Sequence, residues 1–337
     1  MNAPGRPDVF SAEELGEMFL RMARIRHFEL AAVKLQKRGE IPGAIHTSIG
    51  QEGATVGACT ALRADDYVTG NHRSHGHPIG KGAALGPLMA ELLGKATGVN
   101  KGKGGSMHLA DFSVGSVGES GIVGAGIPIA TGAGLSAQVR RSGQVSLCFF
   151  GDGAANQGTF HESLNLASVW ELPVVYFCEN NKYAATTPSA AVTGGPGVAG
   201  RAAAYGIPGV AIDGQDAVVV RMVVAEAAER ARGGKGPTVI EALTYRFHEH
   251  AEGLPIPGDY RSAEEISSWE RRDPLVLFRR RLVEDDVLDD GAIAALDQQA
   301  ADEVAAAVRF AIESPLPDPS EAFTDLYADS SPLEATP

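Results

Sequence analysis

Two apolar runs of strand length, separated by one amphipathic helical segment, form the most readable stretch of the chain. The first run is Val145-Ser146-Leu147-Cys148-Phe149-Phe150 and the second is Pro173-Val174-Val175-Tyr176-Phe177-Cys178. Between them, Thr159 to Trp170 sets Phe160, Leu164 and Ala167 at helical spacing. Strand, helix, strand predicts a βαβ unit whose parallel strands end on one edge. Elsewhere a capping box at Ser11-Ala12-Glu13-Glu14 opens a packing helix, with Leu15, Met18, Phe19, Met22 and Ile25 on its apolar face, running to about Lys37. A small-residue helix is expected from Ile129 to Arg141, an amphipathic helix over Ala217–Arg232 and strands at Val210–Gly214 and Thr238–Tyr245. A second capping box at Ser262–Glu265 precedes helices at Pro274–Glu284 and Asp290–Glu313. Residues 184–209 read as a long loop with a short helix at Gly200–Tyr205. The pattern predicts an α/β class fold: a doubly wound, mostly parallel sheet with helices on both faces. Residues 1–40 form an N-terminal packing helix, 41–260 the α/β domain, and 261–337 C-terminal helices and a tail. Those last helices are either a cover for the domain or a subunit contact.

Composition narrows the function. The 337 residues carry a net charge of −13, which argues against a nucleic-acid partner. Three scattered cysteines, Cys59, Cys148 and Cys178, make no disulfide framework. No apolar run is long enough to span a bilayer, and the first ten residues show no targeting pattern. The expectation is a protein of the reducing cytoplasm, with no membrane association.

Candidate chemistry gathers at strand ends. Gly151-Asp152-Gly153 follows the first strand and Asn180-Asn181-Lys182-Tyr183 follows the second. Asp-Gly alone is ordinary turn chemistry. A carboxylate and an amide delivered by neighbouring parallel strands are different: both are hard oxygen donors, suited to Mg²⁺. Asp152, Asn181 and a backbone carbonyl near Tyr183 would leave coordination positions open for a diphosphate. The glycines permit a sharp turn and close backbone approach. Four further stretches stand out. His46 lies in a Gly-bounded segment, where a histidine is usually a surface residue. Asn71-His72-Arg73-Ser74-His75-Gly76-His77 packs three histidines into six positions. They could ligate a metal, but no Cys or carboxylate completes a set at ligand spacing; the alternative is an anion site built on the planar Arg73 fork. Lys101–His108 is Gly-rich and basic without the ending of a phosphate-binding P-loop, so a flexible basic loop is the plain alternative. His250 sits past the last strand, where a solvated loop histidine is an equal alternative. Gly132-Ala133-Gly134-Leu135-Ser136-Ala137 matches a dinucleotide fingerprint, but falls inside a predicted helix instead of following a strand.

The GDG…NN spacing of about two dozen residues resembles thiamine diphosphate enzymes. Gly-Asp-Gly-Ala-Ala-Asn-Gln-Gly with Cys-Glu-Asn-Asn-Lys-Tyr resembles the E1 α subunits of 2-oxo acid and acetoin dehydrogenase complexes, over about residues 12–320. The resemblance implies a thiamine diphosphate-binding fold, thiamine diphosphate and Mg²⁺ as cofactors, and Asp152, Asn181 and Tyr183 as metal ligands. It implies cofactor contacts at His72, Arg73, Gly121, Val123, Asp152, Gly153, Ala154 and Asn181, with Gly121 and Val123 holding the aminopyrimidine through main-chain atoms. It places His46 and His250 in the active site and turns His108 to the substrate channel. His72 stands where pyruvate-type members carry Tyr, and His-Arg-x-His-Gly-His favours the acetoin branch. Glu249-His250-Ala251 lacks the serine that is phosphorylated in animal pyruvate-type forms, and Leu254–Pro257 looks like a small insertion.

No residue is assignable to the Glu that pairs with the cofactor's pyrimidine. The family's β subunit supplies it, so the resemblance implies an α2β2 heterotetramer that passes an acyl unit to a lipoyl-bearing E2 acyltransferase. The expected activity is acetoin cleavage, the alternative a pyruvate or branched-chain 2-oxo acid E1 α. A nicotinamide oxidoreductase built on Gly132–Ala137 is the rival from another class. A scaffolding relative that lost its site fits poorly, because Asp152, Asn181 and Arg73 all remain.

Overall fold

The computed structural model describes residues 10–326 apart from 255, 257 and 258, so Pro255 and Pro257 of the expected insertion at 254–257 lie outside the described residues. Among the described residues there are eight strands: β1 (Tyr67–Thr69), β2 (Ser116–Gly118), β3 (Ser146–Gly151), β4 (Val174–Asn180), β5 (Tyr183–Ala184), β6 (Thr187–Pro188), β7 (Gly209–Asp213) and β8 (Thr238–Leu243). Six of them form one sheet in the order β2-β1-β3-β4-β8-β7, and every pairing in it is parallel. The other two, β5 and β6, make a small antiparallel hairpin.

The helices are α1 (Ala12–Lys37), α2 (Glu52–Thr60), α3 (Gly76–Lys81), α4 (Leu85–Leu92), α5 (Gly126–Arg140), α6 (Gly158–Val169), α7 (Ser189–Val192), α8 (Gly197–Gly200), α9 (Ala217–Arg232), α10 (Ala263–Glu270), α11 (Pro274–Glu284) and α12 (Asp290–Glu313). The continuous apolar runs of β3 and β4 reflect burial on both faces. Alternate residues serve opposite cores. Cys148, Phe150, Tyr176 and Cys178 pack with Ile127 of α5 and with Phe160 and Leu164 of α6. Leu147, Phe149, Val175 and Phe177 pack with Ala54 and Ala58 of α2 and with Val220 and Val224 of α9. Each buried Leu, Val, Ile or Phe among these contributes about 1.5–3 kcal/mol. All three cysteines are buried free thiols.

A third core joins the two ends of the chain. Phe19, Met22 and Phe28 of α1 share it with Leu88 and Leu92 of α4 and with Ile293, Ala300 and Val304 of α12. The first capping box forms in full at Ser11 and Glu14. At the second, the Ser262 hydroxyl accepts from the Glu265 amide, but the Glu265 carboxylate accepts from the Tyr183 hydroxyl at 2.8 Å. The Gly132–Ala137 fingerprint lies inside α5, so its glycines form no strand-to-helix phosphate turn. Among the described residues, no helix is long and apolar enough to cross a membrane.

β1 and β3 are neighbours, yet the chain leaves β1 towards β2 on one side and β3 towards β4 on the other. Their following loops diverge and open a crevice at the strand C-terminal ends, the usual ligand site of such sheets.

Candidate active site

That crevice is a cavity of 350 Å³. The loop after β1 lines it with Asn71, His72 and Arg73, the turn after β3 with Asp152, Gly153 and Ala154, and β4 and the stretch from it into β5 with Glu179, Asn181 and Tyr183. Gly121 and Val123, just before α5, line it as well, as do His46 and His250. The site residues expected from the sequence therefore share one cavity, with one exception. His108 does not line it: the residue is exposed at the rim, where its Nε2 would lie 3.5 Å from a Cβ placed on Gly121. The loop's Met107 lines the cavity in its stead.

The floor is made of hard oxygens. Asp152 is 2% exposed and its Oδ2 has no hydrogen-bond partner. Burial pushes its carboxyl up to about 6. Asn181 Nδ2 donates to Gln51 Oε1 at 3.0 Å, and the Tyr183 amide donates to Asn181 Oδ1 at 3.3 Å, which fixes the side-chain amide. Gln51 Nε2 is buried and unpaired. The backbone closes around this floor: Lys182 has φ 72 and Ala185 has φ 52, and a Cβ on Gly153 would come within 2.6 Å of the Ala184 Cβ. A buried carboxylate oxygen without a partner is costly unless it takes a proton or a cation. With the Asn181 amide lining the same cavity, the donor set fits Mg²⁺ better than a softer transition metal.

The mouth is made of imidazoles. His46 lies 4.7 Å from His72 and 4.9 Å from His250 between ring centroids, with 5.5 Å between the last two. Burial, then the Arg73 charge, pushes all three down: His46 to about 3, His72 to about 2 and His250 to about 4. Arg73 donates to Thr47 O at 2.8 Å and to His250 O at 2.9 Å. It also reaches His250 Nδ1 at 3.1 Å, and Arg246 reaches that atom at 3.3 Å. A guanidinium only donates, so Nδ1 is the acceptor and the proton of His250 sits on Nε2. The trio has metal-ligand spacing. Two guanidiniums within hydrogen-bond reach of one of its rings oppose a cation there.

The other two histidines of the His72–His77 stretch turn away. His75 pairs with buried Glu29 at 2.7 Å, and His77 bridges Glu119 at 2.9 Å and Glu179 at 3.2 Å. The three-histidine metal site weighed for this stretch therefore does not form, because each residue has a different neighbour. Arg246, Gln51 and Glu179 were not singled out in the sequence. Arg246 and His250 frame Arg-Phe-His-Glu-His after β8, and that spacing is the only local signal they leave.

Oxygen donors and an arginine at the switch point of a parallel sheet define the class: an α/β enzyme that works with a phosphate-bearing cofactor. Comparison with known proteins narrows it. The family model described as dehydrogenase E1 component matches residues 20–320. The α subunit of acetoin:2,6-dichlorophenolindophenol oxidoreductase from Bacillus subtilis is 44% identical over 311 residues, covering 92% of each chain. The α subunit of the same name from Cupriavidus necator is 42% identical over 94% of each. The pyruvate dehydrogenase E1 component subunit α of Rhizobium meliloti is 39% identical over 96% of this chain and 93% of its own. The chain belongs to the thiamine diphosphate-dependent dehydrogenase E1 component family, as an α subunit. An α subunit implies a β partner.

Proposed function

We propose that this α subunit serves an E1 enzyme that cleaves acetoin, a neutral 2-hydroxyketone. The observation that carries the reading is the cavity mouth. His46 and His250 are uncharged at neutral pH, and the Arg246 guanidinium beside them is committed to the backbone carbonyls of His248 and Ala185. A neutral imidazole offers one donor and one acceptor, which suits hydroxyl and carbonyl oxygens, whereas a 2-oxo acid carboxylate asks for an open guanidinium fork. The Bacillus and Cupriavidus relatives named for acetoin agree with this substrate. The Rhizobium relative makes pyruvate the second reading.

In this reading Asp152, Asn181 and the Tyr183 carbonyl hold Mg²⁺, while His72 and Arg73 meet the diphosphate. Gly121 and Val123 present main-chain atoms to the heterocycle, and Gly153 and Ala154 let the phosphates approach. When bound, thiamine diphosphate supplies a nucleophilic carbon that adds to a carbonyl and stabilises the charge that results. His46 and His250 position the substrate oxygens and hold or move their protons; His108 meets the substrate at the rim. Glu179, the second carboxylate lining the cavity, is taken by His77 and Thr55. The acid that pairs with the heterocycle then comes from the β subunit, in an α2β2 heterotetramer that hands the acyl unit to a lipoyl-bearing E2 acyltransferase. Three free buried thiols suit a reducing cytoplasm.

The test is turnover by the reconstituted αβ complex, with 2,6-dichlorophenolindophenol as electron acceptor. The expected kcat/KM for acetoin exceeds that for pyruvate by about a hundredfold. Faster turnover of pyruvate would transfer the assignment to the second reading.

A further inference from the structure

Glu91 is a wholly buried carboxylate near the end of α4, and among the described residues it forms no ion pair. Its partners are backbone amides. Oε2 accepts from Asn100 at 2.8 Å and Gly102 at 2.9 Å, and Oε1 accepts from Gly104 at 2.7 Å and Gly105 at 3.1 Å. Four charge-assisted hydrogen bonds offset the cost of burying the charge. The loop is shaped for this role. Lys101, Gly102 and Gly105 have φ of 58, 78 and 60, the left-handed turns that point successive amides into one concavity. A Cβ on Gly98 would collide with Glu91 Oε2. The Asn100 side chain closes the loop's far end by accepting from the Ala110 amide at 3.0 Å.

The residues just beyond the loop reach the site. The Ser106 hydroxyl meets His75 Nε2 at 2.8 Å and its carbonyl accepts from the Ser74 hydroxyl, next to Arg73. Met107 lines the cavity and His108 stands on its rim. We propose that Glu91 is a positioning residue of this enzyme: an internal anion around which residues 98–105 fold, so that Ser106, Met107 and His108 are held at the cavity rim. Glu91 touches neither substrate nor cofactor. It replaces water as the acceptor for four loop amides and so fixes a segment that would otherwise sample many conformations. The inference rests on the proposed site, but its first readout needs no activity.

The experiment compares wild-type, Glu91→Gln and Glu91→Asp chains in the αβ complex by amide hydrogen exchange and by turnover. In Glu91→Gln the carboxamide nitrogen faces amide donors. The amides of Asn100, Gly102, Gly104 and Gly105 should exchange about tenfold faster or more, with β3 and β4 unaffected. Turnover should fall about tenfold, while the affinity for inorganic pyrophosphate with Mg²⁺ stays within about twofold, because the floor is built by other segments. Glu91→Asp, which keeps the charge, should recover most of the turnover. If Glu91→Gln does not fold, Gly98→Ala, which crowds the carboxylate from the loop side, carries the same expectations. Unchanged exchange over 98–105 overturns the proposal, as does faster exchange with unaltered turnover. A wild-type complex that turns over neither acetoin nor pyruvate, with the exchange result intact, removes the functional reading and leaves Glu91 as the anchor of the loop.

Discussion

His72 and His77 stand five positions apart and have opposite electrostatic fates. His77 is buried between Glu119 and Glu179, stacks on Phe149 at 4.2 Å, and is pushed up to about 10 because the carboxylates outweigh the burial penalty. His72 is pushed down to about 2 by burial and by Arg73. The residue type and the degree of enclosure are similar, so the neighbour decides. A histidine facing carboxylates becomes a structural cation that ties the residue after β2 to β4. One facing guanidiniums becomes a neutral donor and acceptor for a ligand.

The comparison breaks most visibly at its structural end. His77→Ala leaves two buried carboxylates without their cation and should destabilise the chain by about 3–5 kcal/mol. A urea titration at pH 7 checks this; a loss below about 1 kcal/mol would show that the cluster is not a charged bridge.

The pH profile sharpens the comparison with a smaller effect. The folded pKa of His77 is raised, so its stabilising contribution is complete below 6.5 and fades as pH rises through about 10. Those of His46 and His250 are lowered from 6.5 to about 3 and about 4. There the unfolded chain binds more protons, and stability falls as pH drops from about 6.5 towards 4. Asp152, raised from 3.8 to about 6, runs the other way, but it is one group against the three of the mouth. Urea midpoints from pH 5 to 10 should therefore decline on both flanks. His46→Gln should flatten the acid flank only and His77→Gln the alkaline flank only. One variant that flattens both would erase the distinction.

The same contrast separates what the sequence discloses from what it hides. The βαβ unit around Gly151–Tyr183 is legible because β3, α6 and β4 carry their own periodicity and their ligands come directly after them in the chain. α9 matches its expected bounds for the same reason. The three-residue strands β1 and β2 are too short to show a period, and the insertion of β8 between β4 and β7 is a matter of pairing that leaves no local trace. The partners of His72, His75 and His77 come from seven other segments, so their division into one cavity-lining and two buried residues emerges only on folding. Glu91 is hidden likewise: within α4 it reads as an ordinary helix residue, and its role depends on amides nine to fourteen positions later. His108 sits on the rim because the loop that carries it is anchored from below by that carboxylate.

In the proposed reading, the function of the site depends on Asp152 and Asn181, which line one cavity, holding a divalent cation and with it a diphosphate. Calorimetric titration of thiamine diphosphate into the αβ complex, with and without Mg²⁺, tests this for wild-type and Asp152→Ala chains. Wild type should bind only with the metal, and Asp152→Ala should lose about a hundredfold or more in affinity. Equal, metal-independent binding by both would contradict that role for the two residues.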